Sequence, residues 1–421
     1  MASHLVSLPT GRGSAHRRTR PEDALAAIVA ALVCFGIVMV YSASSSVAAL
    51  SDENPMGYAM KQSLFALVGL GAYALATRMN LRAVHRWAGG AVVLAGVELI
   101  AVLVPGLGVE VNGSRRWLPV PLIGQVQPAE IAKVALIFWV ATAVARNPRM
   151  VATPRGLVPY LGVTALFSLL ILVEPDLGTA SMLFLVTLAI LAVAGARFVH
   201  LASVTMALVF LAGAMIAVAP YRRARLFAFL DPWADPEGKG FQVIQAQVAV
   251  GTGGLHGVGL GDGLQKAWYL PEAHTDMILA TIGEEIGFLG IMAVLVAISA
   301  VVLLGFRIAM RAPDLTRRLI AVGVTVLIAA QCLDNAASTL GMMPITGVPL
   351  PFVSYGGSSL IVLLFSTGIL VNIGRGAKAT ATKTKQRDGR PPAAGDDRGQ
   401  RDGRARGAGG GGGRGAARAW G

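Results

Sequence analysis

Apolar runs of roughly 18 residues or more, each closed by a short basic or turn-rich segment, recur from residue 24 to residue 374. They fall near 24–41, 59–77, 87–104, 128–145, 156–173, 177–195, 198–219, 276–306, 317–341 and 355–374. At about 1.5 Å per helical residue, each is long enough to cross a hydrocarbon core of about 30 Å. The pattern predicts an all-α polytopic membrane protein with about ten transmembrane helices, the first one retained because further spans follow it. One large polar segment, residues 220–275, separates helices 7 and 8. Within it, the stretch Phe241 to Gly254 has the spacing of a short amphipathic helix. The expected organisation is a basic N-terminal tail (1–22), a membrane domain (23–376) and a Gly/Arg-rich tail (377–421) too poor in apolar residues to fold.

Composition sharpens this picture. The chain is 54% hydrophobic and 14% charged, with a mean hydropathy of +0.63, outside the range of soluble globular domains. A net charge of +13 raises nucleic acid as a partner, but the basic residues concentrate in the C-terminal tail and at the ends of apolar runs, which is the pattern of a membrane surface. Placing the N-terminus inside puts Arg12, Arg17, Arg18, Arg20, Arg78, Arg82, Arg86, Arg146, Arg149, Arg155, Arg197, Arg307, Arg311, Arg317 and Arg318 on the cytoplasmic side with the tail. Both termini are therefore expected in the cytoplasm. Cys34 and Cys332 lie in apolar runs and six histidines are scattered, so neither a disulfide framework nor a metal-ligand set is spelled.

The polar residues that this topology gathers on the outer side carry the candidate chemistry. Leu270 to Gly290 takes Asp276, Glu284 and Glu285 into an apolar run, where a carboxylate needs a cavity or a partner. Continued as one helix, the stretch puts Asp276 at the head of a small-residue stripe through Ala280, Gly283 and Gly287, with a GxxxG for close approach. Glu130 and Lys133, spaced i,i+3, share a helix face and are expected to pair. Arg115, Arg116, Arg222, Arg223, Arg225 and Lys266 supply positive charge, and His274 flanks the candidate acid. The glycines from Gly251 to Gly263 match no nucleotide-binding loop. Several cations around one acid suit a substrate with a diphosphate, a lipid tail and a hydroxyl to be activated.

Nine motifs in order, VYSASS, KQ, NGSRRW, QPAEIAK, EPDLGT, RRARLFAFLDPW, GTGGLHGVGLGDGLQK, LPEAHTDMILATIGEEIGFLG and PITGVPLPFVSYGGSS, resemble those of the SEDS (shape, elongation, division and sporulation) family over residues 24–376. The resemblance implies a ten-helix SEDS fold and a peptidoglycan glycosyltransferase that polymerises lipid II on the outer face of the cytoplasmic membrane. It makes Asp276 the catalytic acid/base, and Glu130, Lys133, Arg115 and Arg116 polar residues of the substrate cavity. Ala129, Met277 and Thr252 depart from the usual Ser, Phe and Ser without removing a charge. The EAHTD spelling and the VMVYSASS segment look more like the division branch, FtsW-like, than the RodA-like elongation branch, which implies a role at the septum. The implied partners are undecaprenyl-diphosphate-linked glycan, a class B penicillin-binding protein transpeptidase and the divisome or elongasome. A divalent cation has room to assist, though no ligand spacing demands one. Two rival readings stay open here: a lipid II flippase using Glu98, Glu284, Glu285 and Asp334 as a charged path, and a scaffold for the transpeptidase.

Overall fold

The computed structural model describes residues 20–50, 56–111, 114–120, 124–238 and 240–388. Expectations for Arg12, Arg17, Arg18, Asn112, Lys239 and the tail beyond residue 388 lie outside these residues. Cα packing divides the chain into a unit ending at Lys378 and a second beginning at Ala379. The second is described only to Asp388 and is helical there, where the sequence reading expects no structure after residue 376.

The membrane unit contains α1 (Pro21–Leu50), α2 (Gly57–Arg78), α3 (Leu81–Leu103), α4 (Pro128–Arg146), α5 (Pro154–Val173), α6 (Leu177–Val193) and α7 (Phe198–Val218). A lateral segment follows, with α8 (Pro220–Leu230), α9 (Phe241–Gly253) and α10 (Gln265–Trp268), then α11 (Ile278–Glu285), α12 (Phe288–Met310), α13 (Leu315–Thr339) and α14 (Gly357–Asp388), of which the residues up to Lys378 belong to this unit. Among the described residues nine helices are long and apolar enough to cross a membrane, and α6, of 17 residues, is a shorter apolar helix. The protein is a polytopic membrane protein. Helix starts follow local chemistry. Asp176 accepts from the Thr179 N–H at 2.9 Å, Asp314 from the Arg317 N–H at 2.9 Å and Asn80 from the Arg82 N–H at 3.0 Å, each satisfying a donor the helix cannot. Pro128 and Pro154 open α4 and α5, where a missing N–H leaves nothing unpaired.

The core lies between α4, α13, α6 and α14. Their buried Ala, Val, Leu and Ile residues include Leu136, Ile137, Ile190, Leu319 and Leu363. Helix α7 has no fully buried residue, and one side of it borders α6. Alternation of the spans makes two faces. On one, which we term the loop face, Arg116 reaches the Glu174 carbonyl, Gln127 N–H donates to Ser358 Oγ and Tyr355 N–H donates to the His274 carbonyl. On the other, Arg146 meets the His85 carbonyl and Asn372 the Met79 carbonyl.

Two features of the loop face depart from the sequence reading. The 105–127 connection forms a three-stranded antiparallel sheet, β1 (Val109–Val111), β2 (Ser114–Val120) and β3 (Gly124–Val126), short enough to leave no visible period-2 signal. The run expected as one span over 276–306 is broken at Gly287, whose φ of +81° stops α11 before α12 begins. A Cβ there would stand 2.4 Å from the Gly257 nitrogen. The break is closed by the glycine-rich loop. Val258 and Gly259 N–H groups donate to the Glu284 and Glu285 carbonyls, while Phe288 and Leu289 N–H groups donate to the Gly254 and Leu255 carbonyls. The last acceptors of α11 and the first donors of α12 are thereby satisfied without helix continuity.

Candidate active site

Asp276 sits in the turn 271–277 ahead of α11, not on a long helix, so the small-residue stripe expected to run from it through Gly287 does not exist. The residue is 9% exposed. Burial, with help from the nearby Glu272 charge, pushes its pKa up to about 7, against the opposing pull of its own backbone, the Thr275 hydroxyl and Arg225. The acid is therefore poised to exchange a proton near neutrality. Thr275 Oγ1 lies 3.3 Å from Oδ1. Asn335, from α13, donates to the Asp276 carbonyl at 2.6 Å.

Beside this turn lies a cavity of about 300 Å³ lined by Pro175, Leu177, Gly178 and Ser181 at the start of α6, by Arg222 and Arg225 of α8, by Asp334, and by Met343 to Thr346. The segment after α13 that forms one wall is pinned three times: Arg225 donates to the Ile345 carbonyl at 3.1 Å, Thr346 bonds to Asp334, and Asn335 donates to the Val348 carbonyl at 2.9 Å. Between the pins is Gly347, with φ +81°, where a Cβ would stand 3.9 Å from Asp276 Oδ2. Asp276 does not itself line the cavity; it borders the wall at this glycine. The cavity shares Leu177, Ser181 and Ala212 with an apolar groove of about 300 Å³ between α5, α6 and α7, lined by Leu172, Phe184, Leu188 and Leu208 among others. A charged mouth thus opens into a hydrocarbon-like channel. Such a shape accepts a molecule with an anionic head and an aliphatic tail.

The other candidate residues divide by where the fold puts them. Glu130 and Lys133 form the expected ion pair, 2.8 Å apart and almost wholly buried, with Glu130 Oε2 lacking a hydrogen-bond partner among the described residues. Arg222 and Arg225 line the cavity, whereas Arg223 points to the exposed side of α8. Arg115 pairs with Glu110 at 3.1 Å across the exposed hairpin. Arg116 binds the Glu174 and Pro175 carbonyls at 2.8 and 3.0 Å and so docks the sheet on the α5–α6 turn. Beside it Glu174 is buried with neither carboxylate oxygen bonded, and burial followed by the Asp176 charge raises its pKa to about 8. His274 stacks with Tyr58 and Tyr355, ring centroids 4.7 and 5.5 Å away. Burial keeps its imidazole below the ordinary value and hence neutral at pH 7.

Lys266 requires a correction. Its side chain has no exposed surface, and its ammonium is bonded to Glu285 at 2.5 Å and to Ser42 at 3.0 Å, so it has no face to offer a substrate. The chain separation of these partners hid the pairing. Glu284 is engaged as well, accepting from the Leu264 and Gln265 N–H groups at 2.8 and 3.0 Å. Glu285 and one oxygen of Glu284 hold the glycine-rich loop against α11, whereas Glu284 Oε2 has no hydrogen-bond partner among the described residues. Asn335, Thr346 and Gly347 border the candidate site and were not nominated by the sequence. The available signals were an amide beside an acid in an apolar run and a Pro/Gly-rich turn directly after it.

The comparisons with known proteins match this architecture. The family model FTSW_RODA_SPOVE, described as cell cycle protein, matches residues 23–379. The chain belongs to this family. It is the SEDS family whose motifs the sequence spells. The chain is 41% identical over 352 residues to the probable peptidoglycan glycosyltransferase FtsW of Trichlorobacter lovleyi, spanning 83% of this chain and 92% of that protein. It is 39% identical over 362 residues to the stage V sporulation protein E of Bacillus subtilis, spanning 85% and 98%. Among solved structures, a chain of a peptidoglycan synthase complex that coordinates polymerization and crosslinking superposes with a TM-score of 0.69 at 30% identity, covering 83% of this chain and 96% of that one. The rod shape determining protein RodA of Thermus thermophilus gives a TM-score of 0.62 at 28% identity, covering 83% and 95%.

Proposed function

We propose that this protein is a peptidoglycan glycosyltransferase that polymerises lipid II, with Asp276 as the general base. The observation that carries the reading is the placement of a desolvated acid with a pKa near 7 against the wall of a cavity that is cationic at its mouth and apolar beyond it. In the reaction, Asp276 takes the proton of the 4-hydroxyl of the incoming lipid II. The hydroxyl oxygen then attacks the anomeric carbon of the growing chain, and the bond from that carbon to the diphosphate oxygen breaks. Undecaprenyl diphosphate leaves from the opposite side, so the anomeric configuration inverts. Arg222 and Arg225 line the cavity and meet the negative charge that develops on the departing diphosphate. The groove between α5, α6 and α7 receives the polyprenyl tail.

The loop face is outward and both termini are cytoplasmic in this account, because the outward orientation leaves fewer Lys and Arg on that side. Lipid-linked disaccharide is then polymerised where the wall is built. The names of the similar FtsW proteins favour septal synthesis over elongation. The partner in this reading is a class B penicillin-binding protein transpeptidase, supported by the similarity to a chain of a peptidoglycan synthase complex. The direct test is to incubate the purified protein in lipid bilayers with labelled lipid II and resolve the products by length. Glycan polymer is the expected product; unchanged monomer in the presence of the transpeptidase would leave only the scaffold role.

A further inference from the structure

We propose that Asn335 is a positioning residue for glycosyl transfer, its single amide group fixing the catalytic turn to the cavity wall. The inference rests on Asp276 being the base. Asn335 is fully buried in α13 and uses both N–H bonds of Nδ2, one on the Asp276 carbonyl at 2.6 Å and one on the Val348 carbonyl at 2.9 Å. Its Oδ1 has no partner, so the side chain is held by what it donates and not by what it accepts. Both recipients are loops. One carries the acid, in a turn with no regular hydrogen-bond ladder of its own, and the other carries Gly347, where a Cβ would stand 3.9 Å from Oδ2. The remaining pins of that wall, Arg225 on Ile345 and Asp334 with Thr346, lie on the cavity side of Gly347. The amide of Asn335 thus joins the acid's turn to the wall at Val348, and the Tyr355 N–H bond to the His274 carbonyl joins the same two segments farther along. A general base has to come within about 3 Å of the hydroxyl it deprotonates, and a misplacement of about an ångström can cost a hundredfold in rate.

The test is made on the full-length protein in bilayers, with lipid II polymerisation followed against substrate concentration and pH. Asn335→Leu keeps the volume and removes both donors, Asn335→Ala removes volume and donors, and Asn335→Ser keeps one donor. Thermal unfolding of each variant reports folding. The expected result is a kcat about a hundredfold lower for Asn335→Leu, as low as for Asn335→Ala, with KM changed far less. Asn335→Ser falls between them and the natural protein. The acidic limb of the rate profile also moves to lower pH in Asn335→Leu, because a loosened carboxylate regains water and returns toward the ordinary range near 4. The charged groups that act on Asp276, Glu272 of its own turn and Arg225 of α8, are untouched by these changes. Asn335→Leu with near-natural kcat and an unmoved limb would show that Asn335 only fills space, and so would a rise in KM alone. If Asn335→Leu is silent while Asp276→Asn is inactive, only the positioning role falls; an active Asp276→Asn removes the base assignment itself.

Discussion

Asp276 and Glu174 are both acids withdrawn from water on the loop face, and of the two it is Asp276 on which the charge of a cavity-lining arginine, Arg225, acts. For an acid whose pKa is raised on folding, the ionised form is the penalised one. Its contribution to stability is intact below the unfolded value near 4 and is lost as pH rises toward about 7. Catalysis runs the other way, since only the ionised form accepts a proton. The polymerisation rate should therefore fall close to tenfold per unit as pH drops below about 7, and a profile flat down to pH 5 would contradict the assignment. The Glu130 and Lys133 pair gives a second residue-scale expectation. Removing either partner strands a buried charge and is expected to cost about 3–5 kcal/mol. A double-mutant cycle on thermal stability should show strong coupling, and additive losses would show that the 2.8 Å contact does not hold in the membrane. This pair was legible in the sequence because i,i+3 spacing dictates a shared face. The Lys266 pairing with Glu285 and Ser42 was not, because no local rule links residues that meet only through the fold of the loop.

At the scale of elements, apolar run length identified the spans, but the break inside the eighth run left no hydropathy trace. Both α11 and α12 are apolar, and what separates them is backbone bonding to a loop more than twenty residues earlier. Gly287 was read as half of a helix-packing motif, and its real task is to adopt a left-handed conformation where the Gly257 backbone passes. Gly287→Ala is accordingly expected to cost at least about 1–2 kcal/mol from the backbone alone, with more from the collision. The measured consequence is a lower unfolding temperature together with faster proteolysis in the 251–264 loop. Unchanged values for both would mean that α11 and α12 join in another way. The small sheet was missed because its strands are short and two of the three have only three residues.

At the scale of the whole molecule, the described spans gather the glycosyl-transfer candidates on one face and leave the opposite face with the ordinary basic anchors of a membrane protein. Motif order was enough to give the family and to nominate Asp276. The cavity could not be read in that way, because its lining comes from α6, α7, α8, α13 and the segment after α13, whose approach is a product of folding. What makes this frame an enzyme in our account is one carboxylate, and one substitution isolates it. Asp276→Asn preserves size and removes proton acceptance, and since it relieves a buried ionisable group the protein should fold with an unfolding temperature at pH 8 no lower than before. Assayed with labelled lipid II in bilayers, the folded variant is predicted to polymerise at least about 10²–10⁴-fold more slowly than the natural protein; a folded Asp276→Asn that makes glycan at close to the natural rate would contradict the account.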